Sequence, residues 1–278
     1  MLAGVVHLHF QEGERMPGEA TLGFEKAMWL LEAHGIRQIV ATFHLRHPSD
    51  LRLARPQLLL RLIEEYDGPI RISLMPEANL VLRGSSLPVT KRISHDIATW
   101  KRMSVRRSRL RSLVSGWILS AHFTRKLGWS KHKGVASASE QTFEFMIPLY
   151  CQIMRQEWRG WIGHPFQWCA GGNVEESVRR FVTAAANKGR IVEISVKPVR
   201  GRSNLTIQEI RESISMFRPD IIAEFSSYSM HTGDPLAAIS VDAHSLTDLE
   251  LGLENASRVA EWLVAEGVRP EQIWGWDV

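Results

Sequence analysis

Cysteine and long apolar stretches are both scarce in this chain. Its 278 residues hold two cysteines, Cys151 and Cys169. Two thiols in a chain of this length do not make a disulfide scaffold, and a reducing, cytoplasmic setting is the expectation. No apolar run approaches the roughly 18 residues that span a bilayer, so no membrane helix is expected. The start is apolar from Leu2 but lacks a basic segment and meets a histidine already at His7, unlike a signal peptide. Internal repeats and low-complexity linkers are lacking too, which argues for a single domain over 1–278, long for an average domain but ordinary for an α/β barrel. Hydrophobic residues make up 44%, enough for a full core and too many for a disordered chain.

Acidic residues are nearly missing from one segment. Residues 83–111 contain nine Lys or Arg against one acid, Asp96, a local charge of +8. The rest of the chain carries 25 bases and 29 acids, a net of −4, so the formal +4 of the whole is local in origin. Such an insert is either a solvated face or a patch that attracts an anion, a small anionic substrate before a nucleic acid. Trp100 is its one aromatic residue, which is a poor platform for stacking bases.

What is there is a rhythm of short apolar runs between helical patterns. Strands are expected at 4–10, 36–44, 69–78, 115–123, 160–166, 190–196 and 237–244. Helix spacing occupies 24–34, 56–65, 140–157, 174–187, 206–216 and 246–266. Pro56 suits the first turn of a helix. Asn173 can cap the helix that begins at Val174, and Gly267 followed by Pro270 ends the last one. Alternating strands and helices indicate a parallel sheet. A barrel is favoured over an open sheet, because polar residues stand at the C-terminal end of nearly every expected strand, where barrel enzymes assemble their sites.

Those strand ends form the constellation of interest. The first carries His7 and His9, two apart, so that alternation points both imidazoles the same way. The second ends in His44, the third in Glu77, the fourth in His122, the fifth in His164, and the last in Asp242 and His244. Singly, each is an ordinary strand-end residue. Jointly they are eight imidazole and carboxylate groups, which suit borderline or hard divalent ions such as Zn, Mn or Fe, and they are too many for one tetrahedral ion. Two or three metals are therefore expected. His34 precedes Gly35 at a helix end, and His47, His95, His132 and His231 fall in polar loops; none of these is expected to be a ligand.

The series V-H-L-H, T-F-H, P-E-A, S-A-H-F, I-G-H-P, V-E-I-S and S-V-D-A-H resembles the polymerase and histidinol phosphatase (PHP) superfamily across nearly the whole chain. The resemblance implies a distorted (β/α)7 TIM-like barrel with a di- or trinuclear centre, and in most members phosphoester hydrolysis. It implies that His7, His9, Glu77 and Asp242 hold one metal, that Glu77 bridges to a second held by His122 and His164, and that His44 and His244 hold a third. The nearest likeness is to histidinol-phosphate phosphatases, in which an arginine seven residues after the V-E-I glutamate binds phosphate. Here Glu193 is followed at that spacing by Arg200, whose planar fork suits two phosphate oxygens, with Lys197 and Arg202 as neighbouring candidates.

Several positions depart from the family's pattern. Phe43 precedes His44 where an Asp is usual, Ser195 stands for an Asn, and Val241 precedes Asp242. After His9 the chain reads QEGER, so Glu12 and Glu14 are the residues on hand where a third-metal ligand is expected. Ten tryptophans, with Trp158, Trp161 and Trp168 near His164, suggest a pocket of the chain's own kind.

The expected activity is hydrolysis of a small phosphate monoester by a metal-bridging hydroxide, with Arg200 steadying the phosphoryl oxygens and Asp242 or His244 protonating the leaving alkoxide. Two other readings of the same centre are a diverged enzyme that cleaves or oxidises a non-phosphate substrate with iron or manganese, and a nuclease-like module using the basic insert.

Overall fold

Residues Gly4–His9 form β1, in which every side chain is buried. That fits a parallel strand covered on both faces. The computed structural model describes residues 1–14, 18–45, 54–79, 118–120, 161–163, 183, 185, 190–196 and 235–277. After β1 come α1 (Phe24–Ala33), β2 (Gln38–Thr42), β3 (His44–Leu45), α2 (Ala54–Glu65), β4 (Arg71–Leu74) and β5 (Glu77–Asn79). Then follow β6 (Ile118–Ser120), β7 (Trp161–Ile162), β8 (Val192–Ser195), β9 (Ala237–Ala243), α3 (Leu246–Ala265) and β10 (Ile273–Trp274).

Among the described residues, the strands pair in parallel throughout. β1 lies between β2 and β9; β2 continues to β4, and β9 to β8, β7, β6, β5 and β3 in turn. The result is a curled parallel α/β sheet. Each of the seven expected strands contributes a paired segment. The second and third are interrupted, at Phe43 and at Met75–Pro76.

The two faces of the curl pack differently. Val5, Ile39, Ala41, Ile194, Ile239 and Val241 join a large core with the apolar stripes of α1 and α3. Their strand neighbours Val6, Val40, Met75, Ile118 and Ala238 form a second cluster on the opposite face. In α1 the buried Phe24, Ala27, Met28, Leu30 and Leu31 recur at helix spacing. Gly252 of α3 faces Val241 closely: a Cβ there would lie 2.9 Å from Val241 Cβ.

The helix ends expected from Gly35 and Gly267 are present, with φ of 72° and 102°. After α1, Gly35 N–H donates to Glu32 and Ile36 N–H to Leu31; after α3, Gly267 donates to Val264 and Val268 to Leu263. Both are Schellman closures, in which a left-handed glycine lets orphan carbonyls be satisfied. The expected helices at 140–157 and 206–216, most of 174–187, and the basic insert at 83–111 lie outside the described residues. Among the described residues, no helix is long and apolar enough to cross a membrane.

Candidate metal centre

The convergence of His7 and His9 depends on a break in β1. Val6 pairs with Val40 and Leu8 with Ala41, so His7 is an extra residue in β1 relative to β2. Val5 and Leu8 face the helices while Val6 faces the other way. Regular alternation would therefore turn His7 and His9 toward the helical layer, opposite to Val6. Instead His7 takes a left-handed backbone, φ 69°. Such a conformation is uncommon for a side chain larger than glycine and marks a bulge that re-aims its residue. The two imidazoles lie together, with ring centroids 5.0 Å apart; a period of two would also point them the same way, but toward the helices, and it is the bulge that brings them to the opposite face. Asp242 is the other described non-glycine residue with positive φ, at 43°. It too sits where register shifts: Val6 pairs with Ser240 of β9 but Leu8 with Ala243.

The described site atoms converge on one carboxylate oxygen. Glu77 Oε2 lies 3.6 Å from His7 Nε2, 3.5 Å from His9 Nε2 and 3.3 Å from His44 Nε2. Asp242 Oδ1 lies 3.9 Å from both His7 Nε2 and His9 Nε2, and 3.6 Å from His244 Nδ1. His9 is sandwiched between the rings of His44 and His244, at centroid distances of 4.2 and 4.1 Å. His7, His9 and Glu77 are fully buried, whereas the side chains of His44 and His244 are 14% and 25% exposed. Those two rings form the open edge of the site.

Each described histidine of the site has its Nδ1 engaged by an acceptor. His7 Nδ1 is 2.7 Å from Glu193 Oε2, His9 Nδ1 is 2.6 Å from Glu14 Oε1, and His44 Nδ1 is 3.0 Å from Glu14 Oε2. His244 Nδ1 is 3.1 Å from its near neighbour's carbonyl, Asp242 O. A carboxylate or carbonyl acceptor on Nδ1 sets the tautomer that leaves an Nε2 lone pair for a ligand. The backbone of His244 is fixed as well: its N–H donates to Asp248 Oδ2 in the first turn of α3, and its carbonyl accepts from Thr21 and Leu22. Ser245 caps that helix by accepting from Asp248 N–H.

The electrostatics follow from burial and neighbours. Burial pushes His7 down, but the Glu193 and Glu77 carboxylates outweigh it, and its pKa lies well above the ordinary value. His9 is held well below, by burial and by the stacked His244 and His44. His44 is raised: burial opposes it, and the Glu14 hydrogen bond and the Glu77 charge prevail.

Two groups of three have ligand atoms all within 4.8 Å of one another: His9 with His44 and His244, and His7 with His9 and Asp242. His9 belongs to both, so His44 and His244 do not stand apart from the first group. The fit to divalent ions is good. At metal–ligand distances of about 2.0–2.1 Å, tetrahedral ligand atoms stand about 3.3 Å apart, close to the separations around Glu77 Oε2. His9 Nε2 is buried with no hydrogen-bond partner among the described residues, a costly arrangement for a polar atom unless something binds it.

The fold has a counterpart among solved structures. The chain is similar to a histidinol phosphate phosphatase from Lactococcus lactis, whose crystal structure holds zinc, L-histidinol and phosphate: TM-score 0.61, 14% identity, covering 96% of this chain and 94% of that one. An N-isopropylammelide isopropylaminohydrolase from Burkholderia multivorans aligns over 97% of this chain and 83% of that one, with 13% identity and a TM-score of 0.38. No protein-family model and no curated protein sequence matches.

Of the expected ligands, His7, His9, His44, Glu77, Asp242 and His244 are brought together. His122 and His164, and the candidate anion-binding Arg200, Lys197 and Arg202, lie outside the described residues, as do Trp158 and Trp168. Trp161 packs edge-on against Trp274. Phe43, beside His44, is 1% exposed within the helix-side core. Of Glu12 and Glu14, only Glu14 enters the site; Glu12 Oε1 instead lies 3.4 Å from Phe24 N at the start of α1. Glu193 was not singled out from sequence as a site residue. The available signal was a carboxylate alternating with Val192 and Ile194, both of which face the helical core.

Proposed function

We propose that this chain is a metal-dependent hydrolase that cleaves a small phosphate monoester. The observation that carries the proposal is the convergence of three Nε2 atoms, from His7, His9 and His44, on Glu77 Oε2. Likeness of fold to a phosphatase that binds zinc, histidinol and phosphate supports it. The proposal includes a single (β/α)7 domain over 1–278. Its support is that β2 with β3, and β4 with β5, read as single interrupted strands, so that the pairings run through seven strands and return to β1.

His7, His9, Asp242 and Glu77 would hold one ion, and Glu77 would share a second with His44 and His244. His122 and His164 would complete the set. Bound divalent ions supply Lewis acidity and lower the pKa of a bound water toward neutrality. The protein's own part is to fix the donors, to keep the floor of the site dry, and to bind the substrate. Whichever of Asp242 and His244 is not taken up by an ion would hand a proton to the leaving alkoxide, His244 standing at the exposed edge of the site. Arg200, aided by Lys197 or Arg202, would take the phosphate oxygens.

The test combines elemental analysis of the purified protein for Zn, Mn and Fe with a panel of small phosphate esters that includes histidinol phosphate. Bound metal and ester turnover are expected, and His9→Ala should lose both. An unchanged metal content and rate in His9→Ala would overturn the proposal. Stoichiometric iron with no esterase activity would do so too, in favour of oxidative chemistry.

A further inference from the structure

Glu14 lies in the turn after β1 and is completely buried. Its two oxygens serve two different rings: Oε1 is 2.6 Å from His9 Nδ1, and Oε2 is 3.0 Å from His44 Nδ1. The same carboxylate also accepts from the backbone N–H of His44, at 3.3 and 3.4 Å. It therefore ties the segment after β1 to β3, and it meets both imidazoles on the side away from Glu77.

We infer that Glu14 is a shared positioning residue that sets the tautomer of His9 and His44 together, and is not itself a metal ligand. This rests on the proposed metal centre. The argument is one of donor count. A carboxylate offers only acceptors, so both Nδ1 atoms facing it must carry hydrogen. Both Nε2 atoms then keep their lone pairs, and both are the atoms turned to Glu77 Oε2. With each oxygen already committed to an imidazole, the geometry leaves Glu14 behind the ligand rings, where carboxylates orient metal-bound histidines in other sites. Here one carboxylate does this for two rings, so a single change should disturb both.

The side chain that reveals the role is glutamine. It has nearly the same shape but presents one acceptor and one donor. In Glu14→Gln the amide NH2 must face one of the two Nδ1 atoms, and that ring must switch to the Nε2–H tautomer. The lone pair that would bind metal is lost at that ring, with little change in packing.

The experiment measures metal-free and metal-loaded protein separately. Nitrogen-15 NMR of the metal-free wild type at alkaline pH should show both His9 and His44 as Nδ1–H tautomers, and one of them should switch in Glu14→Gln. Competition with a chromophoric chelator, using Zn2+ alone, should show affinity reduced about 10- to 100-fold in Glu14→Gln, with metal stoichiometry at saturation and the melting temperature of the metal-free protein unchanged. Loss of one metal equivalent with unchanged affinity for the remainder would make Glu14 a ligand and overturn the inference. Wild-type tautomers or wild-type affinity in the variant would overturn it as well. If the wild type takes up no metal at all, the proposed function fails, while the tautomers still decide the role of Glu14. They are read on the wild type too, so a poorly folded variant does not remove the test.

Discussion

His7 Nδ1 lies 2.7 Å from Glu193 Oε2, a contact between side chains 186 residues apart and both fully buried. β1 and β8 do not pair with one another; each flanks β9. The contact thus spans a strand, and it exists because the bulge turns His7 to the face that Glu193 occupies opposite Val192 and Ile194.

Replacing Glu193 should separate orientation from charge. Glu193→Gln keeps an acceptor for His7 Nδ1–H and should weaken Zn2+ binding only modestly. Glu193→Ala leaves a buried imidazole N–H unpaired, which costs about 1–3 kcal/mol of stability, and should weaken metal binding about 10- to 100-fold. Chelator competition and urea unfolding on the same samples check both effects. Equal behaviour of the two variants would refute the orienting role.

Removal of metal should be visible as lost stability. An ion that binds the native state alone stabilises it by about 2.7 kcal/mol at a free concentration 100 times its dissociation constant. Dialysis against a chelator should therefore lower the melting temperature, and Zn2+ or Mn2+ should restore it. The shift should vanish in His9→Ala, since His9 belongs to both ligand groups.

Gly252 should prove a packing requirement between α3 and β9. Alanine there gains about 1 kcal/mol of helix propensity but puts a Cβ 2.9 Å from Val241 Cβ, and overpacking costs about 1–3 kcal/mol. Gly252→Ala is expected to destabilise the wild type. In a Val241→Gly background both the Cβ and the Cγ1 that it would meet are gone, and the same change should stabilise. Denaturant unfolding of the four proteins of this cycle gives the sign; additivity would refute the account.

The closure of the chain ends depends on Gly275. It has φ of 82°, and a Cβ there would lie 2.5 Å from Gly4 Cα. Around it, Ala3 N–H donates to Gly275 O, Asp277 N–H donates to Met1 O, and Leu2 bridges Trp276. Gly275→Ala meets both a backbone penalty and a clash at the base of β1. It should lower the melting temperature by several degrees while sparing the metal stoichiometry, because the site lies at the other end of the strand.

The alternation of strands and helices, the glycine stops at Gly35 and Gly267, and the inventory of ligand-type residues were legible in the sequence. They depend on local chemistry: apolar periodicity, the freedom of glycine at positive φ, and the donor atoms of histidine and carboxylate. That Phe43 belongs to the core could not be read from its place beside His44, because neighbouring residues on a strand face opposite ways and only the packing says which face holds the site.

The sequence alone determined which residues carry ligand-type atoms. Only the tertiary structure decided how they are aimed. The bulge at His7 arises from pairing with β2, the acceptor on His7 Nδ1 comes from a strand 186 residues away, and Glu14 becomes shared only when β3 is brought against the turn after β1. Orientation of an imidazole is set by what lies behind it, and these partners are assembled by the curl of the sheet.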